Sequence, residues 1–168
     1  MAKTSKQSSK AASKTDAIAL LTSDHQEVKD LFERYEDLAK ADSDDEEKKN
    51  LAEEICTMLT VHATIEEEIF YPAARDAIDD ESLLNEAEVE HQSAKDLIAQ
   101  IQASDPADAL FDAQVKVLGE YVNHHVEEEE GELFPKVREA DLDLEGLGAE
   151  MSARQEELLS AEADVEDA

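Results

Sequence analysis

Four of the chain's 5 histidines stand at repeated positions. His62 and His125 each open the pattern His-x-x-x-Glu-Glu, in which Glu66 and Glu129 are the first carboxylates, and each pattern runs on through apolar residues to an aromatic-proline pair, Tyr71-Pro72 and Phe134-Pro135. Four residues make just over one helical turn, so each imidazole and its carboxylate share one helix face. Upstream of each copy comes a second repeated phrase, His25-Gln-Glu-Val-Lys-Asp-Leu31 and His91-Gln-Ser-Ala-Lys-Asp-Leu97. The chain therefore reads as one unit used twice, a His helix followed by a His-x-x-x-Glu helix. Brought together, His25, His62, Glu66, His91, His125 and Glu129 offer four neutral nitrogens and two carboxylates. Such a set suits two cations better than one, because each carboxylate has two oxygens and can bridge ions ~3–4 Å apart. Imidazole with carboxylate favours Fe, Mn, Zn or Cu and disfavours Mg and Ca, which prefer oxygen shells.

Helices must carry these donors. Only 4 Gly, 3 Pro and no Trp, with abundant Ala, Leu, Glu and Asp, point to an all-α chain. The apolar spacing predicts a first helix over residues 16–40 (Leu21, His25, Val28, Phe32, Tyr35) and a second over 45–78 (Leu51, Ile55, Met58, His62, Ile65, Ile69). A third is expected over 82–103 (Ala87, His91, Ala94, Ile98, Ile101), and a fourth over 106–140 (Phe111, Val115, Leu118, Val122, His125, Leu133), with Pro106 in its first turn. Pro72 and Pro135 remove a backbone donor and should kink or divide the second and fourth helices. Short connections predict an up-down-up-down four-helix bundle over residues 16–140, in which facing stripes converge. Residues 1–15, with Lys3, Lys6, Lys10 and Lys14 and no acid, read as a disordered basic tail; residues 141–168 read as a short fifth helix from Gly146 to Leu159 and an acidic end.

Composition narrows the partners. A net charge of −30 opposes nucleic acid and anionic membranes and attracts cations or a basic protein. The single cysteine, Cys56, allows no intrachain disulfide and lies in an apolar stripe, where a buried thiol is expected. No apolar run is long enough for a signal segment or a bilayer span, so a cytoplasmic protein is expected. A bundle core holding Glu66 and Glu129 without a cation would bury two charges, each at a cost of about several kcal/mol.

The two His-x-x-x-Glu copies, each followed by an aromatic-proline pair and preceded by a His helix, resemble the hemerythrin-like HHE cation-binding family over residues 18–138. The resemblance implies a four-helix bundle around a non-haem centre of two iron ions, with zinc or manganese as substitutes. It further implies that His25, His62, His91 and His125 are terminal ligands, that Glu66 and Glu129 bridge, and that an oxo or hydroxo group is the third bridge. The chain departs from the oxygen carriers of that family at Lys95, where they place a second third-helix histidine, and at Glu129, where they have an aspartate at longer spacing. Fewer protein ligands would leave positions for water, dioxygen, peroxide or nitric oxide.

Other residues compete for that vacancy. His124 is turned ~100° from His125 and reads as a flanking or surface residue, with a fifth ligand as the alternative. Tyr121, one turn before His125, reads as packing or as a hydrogen-bond donor to a bound ligand. Glu67, Glu88 and Glu128 are explained as solvated among 45 acidic residues. A ferritin-like centre would need Glu-x-x-His twice, and only Glu88 with His91 supplies it. The reading that follows is a protein that binds or senses dioxygen, peroxide or nitric oxide. The alternatives are an enzyme (peroxide removal, ferrous oxidation, iron donation for iron-sulfur repair) or an acidic helical adaptor with a structural metal and an unknown protein partner.

Overall fold

Aspartates start three of the bundle helices. Asp16 accepts from the amides of Ile18 (2.8 Å) and Ala19 (3.2 Å), Asp44 from Glu46 (3.2 Å) and Asp80 from Leu83 (3.2 Å), each satisfying amides that have no partner within the helix. In the computed structural model, which describes residues 16–166, α1 spans Ala17–Lys40, α2 Asp45–Ile65, α3 Tyr71–Ala77, α4 Glu81–Ala103, α5 Phe111–Glu128, α6 Phe134–Glu139 and α7 Leu144–Glu166. The expected basic tail, residues 1–15, lies outside the described residues. No strand occurs among the described residues, and none of their helices is long and apolar enough to cross a membrane.

α1 packs on α2, α2 on α4, α4 on α5 and α5 on α1, which closes the up-down-up-down four-helix bundle. Two apolar clusters fill it. One holds Leu21, Ile65, Phe70, Leu84, Leu133, Phe134 and Met151; the other holds Val28, Tyr35, Ile55, Cys56, Ile98, Phe111 and Leu118. On α1, His25 falls between Leu21 of the first cluster and Val28 of the second. The histidines thus form a polar layer between two greasy ends.

Pro72 and Pro135 act through the turn before them. Glu66–Phe70 and Glu129–Leu133 are π-helical turns, closed by bonds from the Tyr71 amide to the Glu66 carbonyl and from the Phe134 amide to the Glu129 carbonyl. Each proline then sits at the start of the next α-helix, where its missing N–H costs least.

The fourth bundle helix begins at Phe111, not at Pro106 as its sequence suggests. Asp105 and Asp108 close a separate turn on each other: Asp108 accepts from the Asp105 amide (3.1 Å) and Asp105 from the Ala107 amide (2.9 Å). These side chains offer the backbone an alternative to the helix ladder. The C-terminal helix is longer than its apolar spacing indicates. It covers 23 residues, continues through the acidic end to Glu166, and packs on α1, α2 and the first π turn through Met151.

Candidate metal centre

The six donors named by the repeat converge in the polar layer, and each is less than 9% exposed. His25, His62, Glu66 and Glu129 place one ligand atom each within 4.8 Å of one another, and Glu66, His91 and His125 form a second such group that shares Glu66 with the first. His62 is in contact with Glu66 one turn on, and His125 Nε2 lies 2.7 Å from Glu129 Oε1. His25 Nε2 is 3.6 Å from Glu129 Oε1, and His91 Nε2 is 4.0 Å from Glu66 Oε2. Glu66 is fully buried and Glu129 is 2% exposed.

The imidazoles are aimed by an outer ring of carboxylates. His62 Nδ1 pairs with Asp24 (3.0 Å) and His125 Nδ1 with Glu90 (3.2 Å). His25 Nδ1 pairs with Glu130 (3.1 Å) and His91 Nδ1 with Glu67 (3.2 Å). With Nδ1–H donated outward, every Nε2 is free to face the centre, which is the tautomer a metal ligand needs. This ring obeys the same duplication: Asp24 and Glu90 precede His25 and His91, while Glu67 and Glu130 follow Glu66 and Glu129. Its members are themselves held, Asp24 by Gln155 Nε2 of α7 (3.1 Å) and Glu67 by Lys95 Nζ (2.7 Å to both oxygens).

The π turns bring in the aromatic of each motif. Residues five apart stack across an i→i+5 turn, so Tyr71 follows Glu66, and Phe134 follows Glu129, onto the inner face. Phe134 stacks on His25, with ring centroids 5.8 Å apart and planes 3° from parallel. Tyr71 sits against His91 and puts its hydroxyl 3.1 Å from His91 Nε2, 3.3 Å from His125 Nε2 and 3.4 Å from Glu129 Oε2. Sequence reasoning fixed on Tyr121, which is 50% exposed, and missed Tyr71. The signal available was Tyr71-Pro72 within the repeated motif, with a hydroxyl where the other copy has Phe134. His124 is on the surface, and Glu88 pairs with Arg75 (2.9 Å).

Electrostatics without a cation show what the layer demands. Burial opposes charge on His62, yet Glu66 and Asp24 outweigh it and push its pKa up to about 10. Against the same burial penalty, Glu129 and Glu90 hold His125 well above the ordinary range, while His125 and His25 hold Glu129 well below the ordinary carboxylate range. Burial, then the charges of Glu66 and Glu129, keeps the Tyr71 phenol protonated. Protons thus stand in for cations. Even so, His25 Nε2, His62 Nε2, both oxygens of Glu66 and Glu129 Oε1 are buried and make no well-aligned hydrogen bond, for all the closeness of His62 to Glu66 and of His125 to Glu129. Orphaned nitrogens and carboxylate oxygens facing one another are what a transition-metal pair would satisfy, so the residues present fit the group.

A cavity of about 50 Å³ adjoins the four histidines, walled by Val28, Leu59, Ala94, Ile98 and Val122. Phe32 lines an outer groove between α1 and α5.

Fold and donors together define a helical-bundle protein with a buried His/Glu cluster of the kind that could bind metal. The chain belongs to the hemerythrin HHE cation binding domain family, whose model matches residues 16–137. A solved structure of a hemerythrin HHE cation binding domain-containing protein from Mycobacterium kansasii shares the fold, with a TM-score of 0.72 at 24% identity over 87% of this chain and 88% of that one. The chain is also 32% identical, over 115 residues (68% of its length), to a DNA nickase of Nostoc sp., and spans 31% of that longer relative.

Proposed function

We propose that the chain holds two first-row transition ions, iron in its native state, between His25, His62, His91, His125, Glu66 and Glu129, and there binds a small diatomic or peroxide ligand. One observation carries the reading: four imidazoles, each with Nδ1 held by its own carboxylate, turn Nε2 toward two buried glutamates, three of whose four oxygens make no hydrogen bond. Two iron ions would supply the electrons for reversible binding or reduction of such a ligand. Glu66, a member of both donor groups, and Glu129, close to both His25 and His125, would be the carboxylates that the two ions share. The apolar cavity beside the histidines has room for a molecule of two or three heavy atoms.

Peroxide turnover is the second reading, and Tyr71 favours it. A protonated phenol among the donors can give a hydrogen bond or a proton to a bound oxygen atom, which simple binding does not require. The net charge of −30 opposes contact with a phosphate backbone, so the nicking of DNA named for the longer Nostoc relative is not part of this reading.

Metal analysis of natively purified protein, with melting curves before and after chelation, tests the proposal. Two transition ions per chain and a lower melting temperature on chelation are expected, with both effects lost in His62→Ala and Glu129→Ala, because metal binding is coupled to folding. Substoichiometric metal and an unchanged melt would leave the adaptor reading in its place.

A further inference from the structure

Three of the differences between the two halves of the repeat lie beside the donor layer on neighbouring helices. Leu20, Val61 and Ile65 in the first half correspond to Glu86, His124 and Glu128 in the second. In the first half α7 packs over α1 and α2; Val61 and Ile65 are buried, and Leu20 packs with the cluster that contains Met151. In the second half no helix among the described residues packs over the matching face of α4 and α5 as α7 does over α1 and α2, and the His124 side chain is 64% exposed. Three apolar residues have become one imidazole and two carboxylates. A merely solvated surface does not require them to converge.

His124 and Glu128 do converge, on Glu90. Its Oε1 holds His125 Nδ1 (3.2 Å), while its Oε2 is buried, has no hydrogen-bond partner, and lies 3.7 Å from His124 Nε2. His124 Nε2 is in turn 3.2 Å from Glu128 Oε1, one turn along α5. Glu90, His124 and Glu128 can each place one ligand atom within 4.8 Å of the others. An ion with bonds of about 2.0–2.2 Å to nitrogen and oxygen holds neighbouring ligand atoms about 3–3.6 Å apart, so the cluster is close to coordinating distance.

We propose that Glu90, His124 and Glu128 form an outer site for a divalent transition ion, and that it delivers ions to the buried centre. The site is distinct from the buried donors but joined to them, since Glu90 touches His124 on one side and His125 on the other. Open water and two carboxylates in a strongly acidic protein concentrate cations there. Delivery rests on the function proposed above; binding at the outer site does not.

The test uses the 168-residue chain and the double variant His124→Asn/Glu128→Gln, which leaves Glu90 and the buried donors intact. In metal-loaded protein, zinc alone is titrated while the imidazole resonances are followed by NMR. One further equivalent should bind and shift the ring of His124, with affinity at least about tenfold weaker in the variant. Ferrous ion is then added to metal-free protein: uptake should be at least about fivefold slower in the variant, with the same final occupancy. No further zinc site, or one unchanged by the double substitution, overturns the outer site. Zinc binding with equal rates of ferrous uptake overturns delivery. A wild-type chain that takes up no ion at its buried donors refutes the parent reading instead, and zinc titrated into that metal-free chain, read at the His124 ring, still reports on the outer site.

Discussion

Asp24→Asn isolates the outer carboxylate ring. The substitution keeps the shape of the side chain and an oxygen for His62 Nδ1, 3.0 Å away, but removes the negative charge that makes the imidazole a stronger ligand. Loss of such a partner weakens metal affinity about 10–100-fold, or about 1.4–2.7 kcal/mol. At saturating metal that difference appears in full as lost stabilisation. For a chain of this size each kcal/mol moves the melting temperature about 2–4 °C, so the loaded variant should give up about 3–11 °C of the shift that metal confers. The assay is a pair of melts, loaded and metal-free, for each protein. Taking the difference removes any effect of the substitution on the metal-free fold. At limiting free iron the variant should lose the ion on the His25/His62 side first and hold one per chain. A metal-dependent shift equal to the wild type's within about 1 °C, with both ions retained, would refute the claim that Asp24 tunes the centre.

Other predictions follow from the same geometry. Because His62 is raised to about 10 from an ordinary value of 6.5, its contribution in metal-free protein is complete below pH 6.5 and fades as pH climbs toward 10. The metal-free melting temperature should therefore fall across that window, and in His62→Gln this part of the decline should be absent. Tyr35 donates to Asp112 (2.7 Å), which also holds Lys48 (3.2 Å), in the cluster on the far side of the histidine layer. Tyr35→Phe should cost about 1.5–3 kcal/mol in denaturant unfolding and leave metal content unchanged. Burial pushes the Cys56 thiol up to about 12, so it should resist alkylation at pH 8 until the chain is unfolded. Rapid labelling of folded protein would contradict that placement.

Much of this was legible in the sequence because helical spacing and duplication act together. His62 with Glu66, and His125 with Glu129, share a face by spacing alone, and the repeated His-Gln phrase marked His25 and His91 as their partners. Tyr71 was hidden because on an α-helix a residue five positions from Glu66 points elsewhere. Only the π turn brings it round. Asp24 and Glu90 were hidden for another reason. Each reaches a histidine on a neighbouring helix, a relation that no periodicity within one segment encodes. Glu67 and Glu130 disappear among 45 acidic residues unless their repetition is noticed. The late start of α5 depends on side chains of Asp105 and Asp108 outcompeting the proline signal at Pro106.

The outer ring crosses between the repeats. Glu67, from the first unit, steadies His91 of the second, while Glu130 of the second steadies His25 of the first. Neither unit is therefore self-sufficient: expressed by itself, each would present an imidazole with no acid behind it and half a cage. A lone half could complete the cage only by embracing another copy about a twofold axis. The covalent link between the units makes that embrace independent of concentration, and frees each half to accept changes that the other need not copy.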